Sequence, residues 1–282
     1  MLPVATALPE PFAAWERIAL DLPALNRSAR LRAAVDRAEP VDPLAVAALG
    51  PSEQRRAYVL FAAIAHSYVN GGSVPWAKLD SASATASPAV ASSAPMPELP
   101  AQLAAPWRAV CAELGVPCVF NPTPNPNSSP SPNPSPSPNP NPNPNPNPNP
   151  CAELGVPCVF IATGTDLWNA APLGWWQQPT VRNFRQSISM SGCRSETGFH
   201  AVPHAIQHAL TPLLPALLLA PEMLAARCWR QVTRLLRRIG AALRRVRQLL
   251  DQIPEVVDMD EFYDVYRPLL GGWAEGGLRL KP

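Results

Sequence analysis

The chain has 282 residues, of which 47% are hydrophobic, so it is long and apolar enough to bury a substantial core. Its 23 basic and 21 acidic residues leave a net charge of +2, which argues against nucleic acid as a partner. Within the first twenty residues Glu10 precedes any basic residue, and Pro3, Pro9 and Pro11 break the apolar run, which argues against a signal or transit peptide. We therefore expect a cytoplasmic protein. A monomer is a separate expectation.

Helical spacing of apolar residues begins near the N-terminus and continues in the first third of the chain. Phe12, Trp15, Ile18 and Leu22 recur at that spacing. A second helix is predicted to begin at Pro51 and to end at Asn70, where two glycines follow. His66 lies between apolar residues of this helix, so we expect a packed histidine there and not a metal ligand.

The middle of the chain carries a duplication. The segment CAELGVPCVF occupies residues 111–120 and returns at 151–160, and residues 121–150 between the copies are almost wholly Asn, Pro and Ser. Such a tract has no apolar side chains to bury, so residues 121–150 are predicted to be disordered. Four of the six cysteines belong to the two copies and no CxxC pair occurs, which favours reduced thiols over disulfides or a zinc site.

The C-terminal third also has helical character. His200, His204 and His208 are four residues apart and would share a helix face, but Pro203 is expected to interrupt that helix, and ordinary packing is favoured over metal binding. The apolar run at residues 209–220 is too short to cross a bilayer and predicts a buried helix or packed loop.

Residues 222–253 predict one amphipathic helix that is rich in arginine. A solvated polar face is the favoured interpretation, and an anionic membrane or a partner is the alternative. Because no stretch alternates at period two, we predict few strands and an all-α fold.

Several blocks in order give the chain a resemblance to a known family. They are LPEPFAAWERIALDLPAL near the N-terminus, RRAYVLFAAIAHSYVNGG at residues 55–72, DLWN at 166–169, GFHAVPHAIQ at 198–207 and EFYDVYRPLLGGW at 261–273. Together they resemble the indoleamine 2,3-dioxygenases, haem enzymes that open the indole ring of tryptophan.

The resemblance implies a particular organisation and chemistry. Residues 1–110 would form a small N-terminal helical domain, 111–160 the duplicated segment with its insertion, and 161–282 an incomplete large helical haem-binding domain. The implied cofactor is haem b, and the implied partners are dioxygen and L-tryptophan or another indoleamine, with N-formylkynurenine as product. No membrane or nucleic-acid partner is implied.

Three substrate-binding residues follow from the resemblance. Phe199 and Phe262 match aromatic residues beside the bound indole, and Arg267 matches the arginine that meets the substrate carboxylate. A planar guanidinium can grip a carboxylate through two parallel hydrogen bonds. The alternatives are ordinary core packing for the two phenylalanines and an ion pair with Asp264 for Arg267.

The chain also departs from the family pattern. Pro203 stands where a small hydroxyl residue is usual, and Gly198 stands where tryptophan is usual. The histidine that ligates haem iron is expected beyond Pro282, so no catalytic or metal-binding residue is assigned within the chain. The alternative to a dioxygenase is therefore a helical remnant without catalysis that serves as an interaction module.

Overall fold

A computed structural model describes residues 5–74, 76, 98–115, 168–171, 180–270 and 279–280. In the first part of the chain the α-helices are α1 (Ala13–Leu20), α2 (Leu22–Arg27), α3 (Leu31–Arg37), α4 (Pro43–Ala47), α5 (Pro51–Asn70) and α6 (Ala101–Leu114). Short 3-10 turns precede α1 at Glu10–Phe12 and follow α5 at Gly71–Ser73. The duplicated segment beyond residue 115 and the Asn/Pro-rich tract lie outside the described residues.

The second part of the chain continues with helices. They are α7 (Arg194–Leu210), α8 (Leu214–Leu218), α9 (Ala220–Ala225), α10 (Trp229–Leu250), α11 (Ile253–Val256), α12 (Met259–Glu261) and α13 (Arg267–Leu269). A 3-10 turn at Thr211–Leu213 precedes α8, and a π-helical turn at Phe262–Tyr266 joins α12 to α13. Strands β1 (Glu98–Leu99) and β2 (Arg279–Leu280) form one short parallel pair, so the prediction of an all-α fold with few strands is confirmed.

Helix α5 is the central helix of the described structure. It begins at Pro51, whose missing N–H costs nothing at the first helical position, and the Glu53 carboxylate accepts a 2.8 Å hydrogen bond from the Gly50 N–H. Every residue from Arg56 to Ser67 is buried. The predicted bounds of this helix are therefore confirmed, and its surroundings cover it on all sides.

The main core joins residues that are distant in sequence. It packs α1 and α5 against α6, and it also includes Ile188, Met190 and the residues around Tyr266. A smaller second core lies between α7 and α10, where Val202, Phe184 and Leu249 pack together. The first and last thirds of the chain thus share one hydrophobic core.

A buried ion pair lies inside the main core. Arg56 of α5 donates two hydrogen bonds of 2.6 Å to the two carboxylate oxygens of Glu16 in α1. Glu16 also accepts a 2.9 Å hydrogen bond from the Leu8 N–H. Because each charge is buried, the pair stabilises the fold only while both partners are present.

Three local predictions are wrong. Residues 222–253 do not form one helix: α9 ends at Ala225, and Arg227 adopts a left-handed backbone with φ 53° before α10 begins. Residues 209–220 are not buried throughout, since Leu218 is 79% exposed. Finally, Pro203 does not interrupt α7, which runs from Arg194 to Leu210, because Ala201, Val202 and Ala205 beside the proline are buried in the second core.

Candidate functional site

Helix α7 is fixed at its N-terminus by a buried carboxylate. Glu196, in the first turn, accepts hydrogen bonds from the Met190 N–H and the Ser191 N–H, each 2.8 Å long, and from the Ser189 hydroxyl at 2.7 Å. These bonds satisfy backbone donors of the loop that enters the helix. The loop and the first turn of α7 are therefore held together as one rigid unit.

Cys193 caps the same helix and is not poised for nucleophilic chemistry. Its sulfur accepts a hydrogen bond from the Glu196 N–H at 3.3 Å. Burial raises the pKa of the Cys193 thiol to about 11. At neutral pH the thiol is therefore protonated and serves as a structural cap.

A close helix contact explains Gly198. A Cβ atom at this position would lie 2.1 Å from the Val256 carbonyl oxygen, so no side chain fits there. The departure from the tryptophan of the family pattern thus lets the backbone of α11 approach α7.

The structure brings Phe199 and Phe262 together. Their ring centroids are 4.8 Å apart with an interplanar angle of 30°, although the two residues belong to α7 and to the π-helical turn. Phe262 is 8% exposed, whereas Phe199 is 36% exposed. Phe262 belongs to the main core, in agreement with the alternative interpretation that its ring has a packing role. Phe199 exposes part of its ring to solvent.

Beneath these rings lies a buried polar contact that the sequence did not single out. The Tyr266 hydroxyl hydrogen-bonds to His200 Nε2, and both side chains are buried. The Tyr266 ring lies 6.1 Å from that of Phe262 and 6.0 Å from that of Phe199. The contact therefore joins α7 to the π-helical turn directly behind the two phenylalanines. Its sequence signal, an aromatic residue four positions after Phe262, is too general to identify it.

Arg267 lies at the exposed end of the same cluster. Its guanidinium carbon is 5.1 Å from the centre of the Tyr263 ring, and that ring packs edge-on against Phe262 at 5.4 Å. Tyr263 is 55% exposed and was not among the predicted site residues. The cluster thus combines an exposed cation, an exposed phenol and a partly exposed phenyl ring, a combination suited to an aromatic ligand with a carboxylate.

Three of the four histidines of the chain are buried against other protein groups. His66 is fully buried, its Nδ1 lies 3.3 Å from the Leu269 carbonyl oxygen, and burial lowers its pKa to about 4. His200 contacts Tyr266, His204 packs 5.1 Å from the Phe184 ring, and His208 is exposed. Within the described ranges there is no group of three or more His, Cys, Asp or Glu side chains that could hold a metal ion.

A comparison with models of protein families shows to which family the chain belongs. The model described as Indoleamine 2,3-dioxygenase matches residues 2–121 and 140–279. The chain belongs to the indoleamine 2,3-dioxygenase family. The unmatched residues between the two segments fall inside the Asn/Pro-rich tract. No curated protein sequence matches the chain. The predicted family resemblance and its helical fold are therefore confirmed.

The family is haem-dependent. Of the four histidines, His66, His200 and His204 are buried and His208 is exposed. No helix among the described segments is long and apolar enough to span a membrane.

Proposed function

We propose that the protein is a haem-dependent dioxygenase of tryptophan or a related indoleamine, and that Phe199, Phe262 and Arg267 bind the substrate. The reaction of such an enzyme adds both atoms of dioxygen across the indole double bond and gives N-formylkynurenine. The observation that carries the proposal is the convergence of these residues, which come from α7 and from the segment after α11, into one cluster within a family member.

Each residue has a distinct physical task in this proposal. The exposed part of the Phe199 ring packs against the indole, and Phe262 fixes the angle of that ring from the core side. The Arg267 guanidinium receives the carboxylate, and its contact with Tyr263 restricts the directions in which it can point.

The catalytic part of the proposal is tested by turnover. Purified protein is incubated with haem, a reductant, dioxygen and L-tryptophan, and N-formylkynurenine is measured against time. Repeated turnover supports a dioxygenase. Protein that is folded and haem-loaded but yields no product would favour the alternative, a helical interaction module without catalysis.

The substrate-binding part is tested by Arg267→Ala, with Arg234→Ala on the exposed face of α10 as the matched control. Loss of a charged hydrogen bond should lower tryptophan affinity by about tenfold or more, whereas the affinity for indole, which has no carboxylate, should change little. Arg234→Ala should affect neither ligand. Equal losses of affinity for tryptophan and indole would show that Arg267 supports the fold and does not bind the carboxylate.

A further inference from the structure

A concave site lies in the N-terminal helices, and no residue of the Phe199 cluster lines it. It is a cavity of about 200 Å³ between α2, α3 and the C-terminal end of α5. Its apolar walls are formed by Leu25, Leu31 and Trp76. The cavity is smaller than the roughly 300 to 1,000 Å³ of pockets for drug-sized molecules, so it suits a ligand of one or two rings.

A buried hydroxyl faces this cavity without a partner. Ser67 of α5 is 2% exposed, lines the cavity, and its Oγ makes no hydrogen bond within the described structure. Burying a hydroxyl without a hydrogen bond costs free energy, and buried polar groups in folded proteins are nearly always paired. Ser67 therefore offers a donor and an acceptor that a ligand could satisfy.

A cation and an aromatic ring meet at the rim of the same cavity. The Arg32 guanidinium carbon lies 5.2 Å from the centre of the Tyr68 ring, and Arg32 Nη2 donates a 3.4 Å hydrogen bond to the Tyr68 carbonyl oxygen. Arg32 is exposed, so an anion can reach its remaining donors. These two contacts hold the guanidinium beside the opening.

The wall opposite α5 has a fixed shape. Ala29, between α2 and α3, adopts a left-handed backbone with φ 54°, a conformation that residues with a Cβ rarely take. Across the cavity the Trp76 indole N–H donates a 2.9 Å hydrogen bond to the Gly71 carbonyl oxygen, which fixes the plane of the Trp76 ring. The cavity is thus bounded by groups whose positions other contacts determine.

We propose that this cavity binds a small aromatic carboxylate. The aromatic ring would lie between Leu25, Leu31 and the Trp76 ring. The carboxylate would accept hydrogen bonds from Arg32 and from the Ser67 hydroxyl, which would thereby gain the partner it lacks. A cationic ligand would be repelled by Arg32, and an aliphatic acid could not stack on the Trp76 ring.

The test is calorimetric titration of the purified chain, without haem, with 2-naphthoate, benzoate and uncharged naphthalene-2-methanol. We expect saturable binding of the two acids. Arg32→Gln should weaken acid binding by about tenfold and leave the alcohol nearly unaffected, since a hydrogen bond to a charged group is lost. Ser67→Ala, checked for unchanged helicity by circular dichroism, should weaken all three ligands by roughly threefold or more.

Arg37→Gln is the matched control, because Arg37 lies exposed on the same helix as Arg32 but does not line the cavity. It should leave the affinities unchanged, and acid binding that depends on Arg32 should persist in Arg267→Ala, because Arg267 does not line the cavity. Absence of saturable binding, or equal losses in Arg32→Gln and Arg37→Gln, would overturn the proposal. Loss of acid binding in Arg267→Ala would also overturn it, by assigning the ligand to the Phe199 cluster.

Discussion

Helices α5 and α10 are similar in length, with 20 and 22 residues, yet their surroundings differ sharply. In α5 all residues from Arg56 to Ser67 are buried, whereas the buried residues of α10 are Leu235, Ala242 and Leu249. Both sequences show helical periodicity. The difference teaches that periodicity predicts a helix and its apolar face, but not how many sides of the helix the rest of the fold covers.

Helix α10 also exposes apolar side chains along one line. Trp229, Leu236, Leu243 and Leu250 recur every seventh residue and are 46 to 62% exposed. The arginines of the helix are exposed as well, as the solvated-face interpretation expects. Because few residues of α10 are buried, its stability depends more on intrinsic helix propensity and less on tertiary packing than the stability of α5 does.

The largest expected effect is a cavity in α5. Phe61 is fully buried and packs against Trp15 at 5.5 Å and Phe12 at 6.4 Å. Phe61→Ala should lower the free energy of unfolding by about 3 to 5 kcal/mol, because it removes buried ring surface and leaves a void. Leu243→Ala in α10, where the side chain is 58% exposed, should change it by less than about 0.5 kcal/mol.

Urea denaturation of the two variants measures the difference. Similar losses in both would mean that the exposed line of α10 is packed in solution, and the comparison between the helices would fail.

Replacing an arginine in α5 and in α10 should also have very different effects on the free energy of unfolding. Arg56→Met leaves the Glu16 carboxylate buried without its partner and should cost about 3 to 5 kcal/mol of stability. Arg234→Met on α10 should be neutral within about 0.5 kcal/mol. The double variant Glu16→Gln with Arg56→Met should recover part of the loss, since it removes the stranded charge. A double variant as unstable as Arg56→Met alone would contradict the electrostatic explanation.

The third prediction concerns pH. Burial lowers the pKa of His66 from its ordinary value of 6.5 to about 4, against a smaller opposing effect of the Leu269 carbonyl. Between those values the unfolded chain binds a proton that the folded chain does not. Stability should therefore be full above pH 6.5 and fall by about 3 kcal/mol as the pH approaches 4.

Urea denaturation between pH 4.5 and 7.5 checks this dependence. His66→Gln should flatten the slope in that range, and the control His208→Gln, at an exposed position, should leave the slope unchanged. An unaltered slope in His66→Gln would assign the acid sensitivity to other groups.

The smallest expected effect uses a glycine of α10. A Cβ at Gly240 would meet no atom closer than 3.7 Å, so Gly240→Ala should raise stability by about 0.5 to 1 kcal/mol through helix propensity alone. Gly198→Ala in α7 should act in the opposite direction, by about 1 to 3 kcal/mol, because Val256 blocks the added atom. Thermal unfolding of both variants is the measurement, and shifts of the same sign would show that the contact at Gly198 is not fixed.

The sequence by itself determined the family, the all-α class and the bounds of α5, because ordered motifs and helix-terminal residues act locally. It did not predict the break at Arg227, since an arginine in a left-handed backbone has no local signal. It also treated Pro203 as a helix breaker, although the surrounding packing keeps α7 continuous.

Only the tertiary structure decided which residues meet at the candidate sites. The family pattern selected Phe199, Phe262 and Arg267, but only the structure shows that the Phe199 and Phe262 rings meet, and Tyr266 and Ser67 were not singled out at all. A periodic pattern records how one element repeats along its own axis. Contacts between elements depend on how those elements pack in space, which no local pattern contains.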